Sequence, residues 1–77
     1  EGVRLATAAE ISNCSRLGRT RSQTLDRVVG VERGAERLQE ELLRLARNDA
    51  GAMGGNVIVP ESLIEEGEQV FGIYSCP

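Results

Sequence analysis

The side chains able to do chemistry here are twelve acids, nine basic residues that are all arginine, two cysteines and one tyrosine. Histidine is absent, so no imidazole base, no Ser-His or Cys-His nucleophile and no imidazole metal ligand can form. Lysine is absent too, which removes the Schiff base and the lysine of a phosphate-binding loop. Two thiols are too few for a four-thiolate zinc site. Paired carboxylates would still permit acid–base work. Yet the acids fall beside arginines on a helical stretch or in the turn Glu65–Glu68, where solvated charge is the plain reading. The expectation is a protein that is not an enzyme, with no catalytic residue, no metal and no cofactor.

Cys14 and Cys76 stand near opposite ends of the 77 residues, too far apart for a CxxC redox or zinc motif. An even count in a short domain is consistent with one disulfide formed in an oxidising compartment; two buried, reduced thiols in a cytosolic protein are the alternative. Closing so long a loop would stabilise the fold by roughly 4 kcal/mol on the chain-entropy model. That matters for a chain this small, which buries only about 60% of its unfolded surface. Asn13-Cys14-Ser15 matches the N-glycosylation pattern formally, but a bridged cysteine makes a poor acceptor site.

Arg16, Arg19, Arg21 and Arg27 form a basic stretch in a chain of net charge −3. Gathered on one sheet face they could bind an anionic ligand or lipid headgroup, because the guanidinium fork is bidentate toward phosphate. The other reading is a solvated strand whose arginines pair with Glu61, Glu65, Glu66 or Glu68 across the sheet. The excess of acid over base argues against a nucleic-acid surface. Gly54, Gly55 and Asn56 read as a structural turn, a helix stop followed by a strand start. Tyr74 reads as a cross-strand packing residue. Asp49, near a helix C-terminus where negative charge is unfavourable, is expected to bond locally to Arg47 or the following turn.

These residues need elements to position them. Apolar residues at Ala35, Leu38, Leu42, Leu45, Ala46, Ala50 and Met53 recur in steps of three and four, which predicts an amphipathic helix over about 34–53. Glu40 and Arg44 are spaced for a weak surface pair on it. Weak alternation over 3–7, with Val3, Leu5 and Thr7 on one face, predicts a short strand, and 8–15 reads as irregular. Segment 17–24 predicts a strand exposing Arg19, Arg21 and Gln23, and Val28–Val31 a strand end or a lead-in to the helix. A third strand over 56–60 closes at Pro60. The last, 69–76, turns Phe71 and Ile73 away from Val70 and Tyr74. The helix needs an apolar surface, which a sheet with one covered face supplies. The predicted fold is a single α+β domain over 1–77. It is a two-layer sandwich of one amphipathic helix on a small, mainly antiparallel sheet (β-β-α-β-β), with Cys14 clipped to Cys76. Its uncharged runs are far too short to span a membrane.

Three patches in order carry a resemblance: Cys14-Ser15-Arg16-Leu17-Gly18, the stretch from Leu42 to Asn56, and Gly72-Ile73-Tyr74-Ser75-Cys76. Together they resemble a family of small bacterial envelope lipoprotein domains, similar to the outer-membrane sensor lipoprotein of the Rcs envelope-stress phosphorelay. The matching positions are Cys14, Leu17 and Gly18, then Arg47, Asn48, Ala50, Gly54 and Asn56, then Gly72, Tyr74 and Cys76. The resemblance implies a domain on a lipidated N-terminal linker, in the oxidising periplasm and anchored at the outer membrane in its full-length form. Its implied partners are other envelope proteins, with the membrane reached only through a lipid anchor outside this chain. The chain departs from the pattern in lacking a lipidated N-terminal cysteine and in carrying one cysteine pair where the sensor has two. Glu1-Gly2 is not an initiator Met, which reads as a trimmed mature start. The expected function is a non-enzymatic periplasmic domain working through protein–protein contacts in envelope maintenance or stress sensing. The alternative is a periplasmic binding module for an anionic ligand through Arg16–Arg27.

Overall fold

Helical periodicity translates directly into burial. In the computed structural model, which describes residues 2–24 and 35–77, helix α1 spans Ala35–Ala52. Leu42, Ala46 and Ala50 on its inner stripe are fully buried, and Leu38 and Leu43 pack at the rim of the same cluster. Small residues at 46 and 50 let the last turns lie close to the sheet. Met53, expected on this stripe, falls beyond the helix end and is 42% exposed. The helix stops there because Gly54 takes a φ of +84°, a conformation that clashes for residues with a Cβ. Gly54 N–H then donates to Gly51 O (3.1 Å) and Gly55 N–H to Ala50 O (2.8 Å), the paired bonds of a Schellman stop. The expected Val28–Val31 segment, the helix start at Gly34 and Arg27 lie outside the described residues.

Four strands complete the fold: β1 (Arg4–Leu5), β2 (Ser15–Gln23), β3 (Val57–Pro60) and β4 (Glu68–Ser75). Their spatial order is β1-β3-β4-β2. The β3–β4 and β2–β4 pairs are antiparallel and β1–β3 is parallel. This is the α+β, β-β-α-β-β arrangement the sequence implies, as a mixed sheet with the apolar strands β3 and β4 inside. No helix among the described residues is long and apolar enough to cross a membrane.

One expectation needs correcting. The sheet has clusters of buried residues on both faces, not one. Toward α1 lie Ile58, Phe71 and Ile73; on the second face lie Ala6, Val57, Val59 and Cys76, with Ile11, Cys14 and Tyr74 packed against them. Consecutive residues of a strand point to opposite faces, so Val57, Ile58 and Val59 are all buried only because both faces are covered. The cover on the second face is the N-terminal segment, which runs from β1 through a short 3₁₀ turn at Ala8–Glu10. Thr7 N–H donates to Glu10 Oε1 (2.9 Å) at that turn. Leu5 is 45% exposed while Ala6 is buried, because Ala6 continues the ladder to Ile58 O (3.0 Å) and turns to the covered face of Val57 and Val59.

The Cys14–Cys76 disulfide fastens this segment. It joins the residue before β2 to the residue after β4, with an S–S distance of 1.97 Å and a Cα–Cα distance of 4.3 Å across 62 positions of sequence.

Candidate functional site

The arginines of β2 reach one face through an irregularity. Arg16 pairs with Tyr74, but Gly18 pairs with the adjacent Ile73, so Leu17 is the extra residue of a β-bulge. Past the bulge, Arg19 lies opposite Gly72 and Arg21 opposite Val70. Positions 16, 19 and 21 therefore share the second face although their numbers differ in parity. In an unbroken strand Arg16 would have pointed at the helix.

Arg16 organises a small polar network there. Its Nη1 donates to Glu61 Oε2 (2.6 Å) and to the Tyr74 hydroxyl (2.9 Å), and its Nη2 to Glu61 Oε1 (3.4 Å). The guanidinium carbon sits 5.6 Å from the Tyr74 ring centroid, within cation–π range. Gly72 forms the floor. A Cβ at that position would collide with the Glu61 carboxylate and lie 3.0 Å from both Arg16 Nη1 and Tyr74 Cε1. The Arg16 hydrogen bond holds the Glu61 carboxyl below its ordinary value, against the opposing effect of burial, with the charges of Arg16 and Arg19 adding to the shift. In return the bonds to Glu61 and Tyr74 hold the Arg16 guanidinium above its ordinary value.

A second pair lies further along β2: Arg21 Nε stands 2.8 Å from Glu68 Oε2, and Gln23 Nε2 donates to Glu68 Oε1 (3.1 Å). Arg19 has no hydrogen bond or ion pair among the described residues. Of the candidate anion-binding set, the structure thus brings Arg16, Arg19 and Arg21 together and gives two of them carboxylate partners; Arg27 lies outside the described residues. Both partners come from the acids named for the cross-sheet reading. The ion pairs among the described residues lie in the sheet, and Glu40–Arg44 on the helix is not one of them.

On the helix side Asp49 accepts a hydrogen bond from Thr20 Oγ1 (2.6 Å). Its partner is across on β2, not local as expected, because the exposed end of α1 lies over that strand. Gln69 is buried, donating to Ser62 O (3.0 Å) and accepting from Gln39 Nε2 (2.9 Å). The turn residue Asn56 does more than start a strand. Its Nδ2 donates to Cys76 O (2.9 Å) and its Oδ1 accepts from Cys76 N–H (2.8 Å), so a side-chain amide replaces a strand neighbour at the bridged cysteine. No sequence signal pointed to that clamp.

Among the described residues no group of three acids or cysteines is placed to hold a metal ion. An open apolar groove of about 410 Å³ runs along Leu5, Ala6, Thr7, Ala8, Val59 and Pro60. The chain belongs to the DUF4156 family, a domain of unknown function, which matches residues 1–76. Comparison with curated proteins and with solved structures gave no match.

Proposed function

We propose that this DUF4156 domain is a non-enzymatic module of a bacterial envelope lipoprotein, exposed to the periplasm and working through protein–protein contacts in envelope maintenance or stress sensing. The observation that carries the reading is the Cys14–Cys76 disulfide, since such bridges form and persist in oxidising compartments and are rare where thiols are kept reduced. The resemblance to lipoprotein domains adds to it, and seven of its eleven residues have identifiable tasks. Cys14 and Cys76 make the bridge, Leu17 the bulge, Gly54 the helix stop, Asn56 the clamp, and Gly72 and Tyr74 the floor and wall of the Arg16 network. Those are scaffold tasks, so the specific role belongs to the exposed surface. The reading through anion binding finds Arg16 and Arg21 already paired with carboxylates.

The test is to fractionate a bacterium that makes the natural protein and trap its thiols during lysis. The proposal expects it in the envelope fraction with both cysteines unreactive until reductant is added. Protein in the cytosol with two alkylated thiols overturns it.

A further inference from the structure

Resting on the protein-contact reading, we propose that the outer edge of β2 accepts an extended, acidic segment of a partner protein as an added strand, its carboxylates meeting Arg19 and Arg21. An unpaired edge presents backbone N–H and C=O groups that another strand can complete. Among the described residues β2 is nine residues long and outermost in the sheet, whereas the opposite edge, β1, has two residues.

The side chains along β2 select the partner. Gly18, Thr20 and Ser22 turn to the helix side, where Met53 reaches Gly18, Asp49 bonds Thr20 and Ser22 is buried. Arg19 and Arg21 turn to the other side, about 7 Å apart as alternate strand residues, the spacing of carboxylates two residues apart on the incoming strand. Arg19 makes no hydrogen bond or ion pair among the described residues and meets the Glu61 carboxylate only as a nearby charge. The Arg21 side chain is 66% exposed despite its pair with Glu68, so it can face a second carboxylate. At the bulge end Leu17 is 41% exposed and offers an apolar contact to the end of the segment. A second copy of this chain is a poor occupant. Antiparallel self-pairing centred on Arg19 or on Thr20 sets Arg19 against Arg19 or against Arg21, and like charges directly opposite are destabilising.

The experiment titrates the isotopically labelled 77-residue chain with an eight-residue peptide alternating Glu with Val, and with the same peptide carrying Lys for Glu, reading amide exchange by NMR. The proposal expects the acidic peptide to protect β2 amides selectively. It expects Arg19→Glu, checked for retained fold by circular dichroism, to weaken that peptide roughly tenfold and to favour the basic one. Equal binding of both peptides, protection away from β2, no binding at millimolar peptide, or self-association through β2 overturns it. Photocrosslinks to proteins from other faces in cells would leave the protein-contact reading standing without this edge; no protein crosslink from any face would remove both.

Discussion

Toward the helix the sheet presents Ile58, Phe71 and Ile73, fully buried against Leu42. Away from it the sheet carries Ala6, Val57 and Val59, a disulfide, and an arginine–glutamate–tyrosine network. The first face is held by burial of large apolar side chains, each contributing roughly 1.5–3 kcal/mol. The second has smaller residues and a covalent fastening that contributes about 4 kcal/mol on the chain-entropy model. The chain's one Phe lies on the helix face, whereas the buried residues of the second face are Ala6, Val57, Val59 and Cys76. One face therefore responds mainly to loss of packing, and the other to reductant and acid.

The largest expected effect tests the helix side. Phe71→Ala should destabilise by roughly 3–5 kcal/mol, a large part of the about 4–12 kcal/mol expected for a domain this size. A denaturant titration checks it, and a loss under 1 kcal/mol would mean that the helix face is not the main core. Next, replacing Cys14 and Cys76 together by Ser should cost roughly 2–5 kcal/mol, and reducing the native protein should lower its midpoint similarly. Asn56→Ala should cost about 1–3 kcal/mol by leaving the Cys76 backbone groups unsatisfied, with Asn56→Asp recovering only the accepting half of the clamp.

Glu61 gives the smallest effect and the sharpest signature. Its carboxyl is held below the ordinary 4.5 in the fold, so the unfolded chain binds its proton more readily. The ion pair's contribution is complete above about pH 4.5 and is lost as pH falls through the folded value. Glu61→Gln should flatten that part of the acid limb and leave neutral-pH stability little changed, since exposed pairs contribute little. An unaltered acid limb in the variant would remove Glu61 from the account.

Local signals made much of this legible. The three–four spacing around Leu42, Ala46 and Ala50 located α1, Gly54 located its end, and the β-rich residues before Pro60 located β3. The cysteine count anticipated the bridge. Features that depend on partners distant in sequence were not legible. β1 pairs parallel to β3 across 53 positions (Arg4 with Val57), and no local pattern encodes that choice. The bulge at Leu17 changes which residues share a face, and alternation counting assumes an unbroken strand. Asp49 lies beside Thr20 only once helix and sheet have packed. The floor at Gly72 is intelligible only with Arg16, Glu61 and Tyr74 above it.

The division between the two faces is tested most directly by residue-resolved hydrogen exchange on the oxidised and the reduced protein. The account predicts that reduction strips protection from the N-terminal segment, at the amides of Arg4, Ala6 and Cys14 that bond to Asn56, Ile58 and Ile11, far more than from Ile58, Phe71 and Ile73. Equal loss across both sets, or no loss at all, would contradict it.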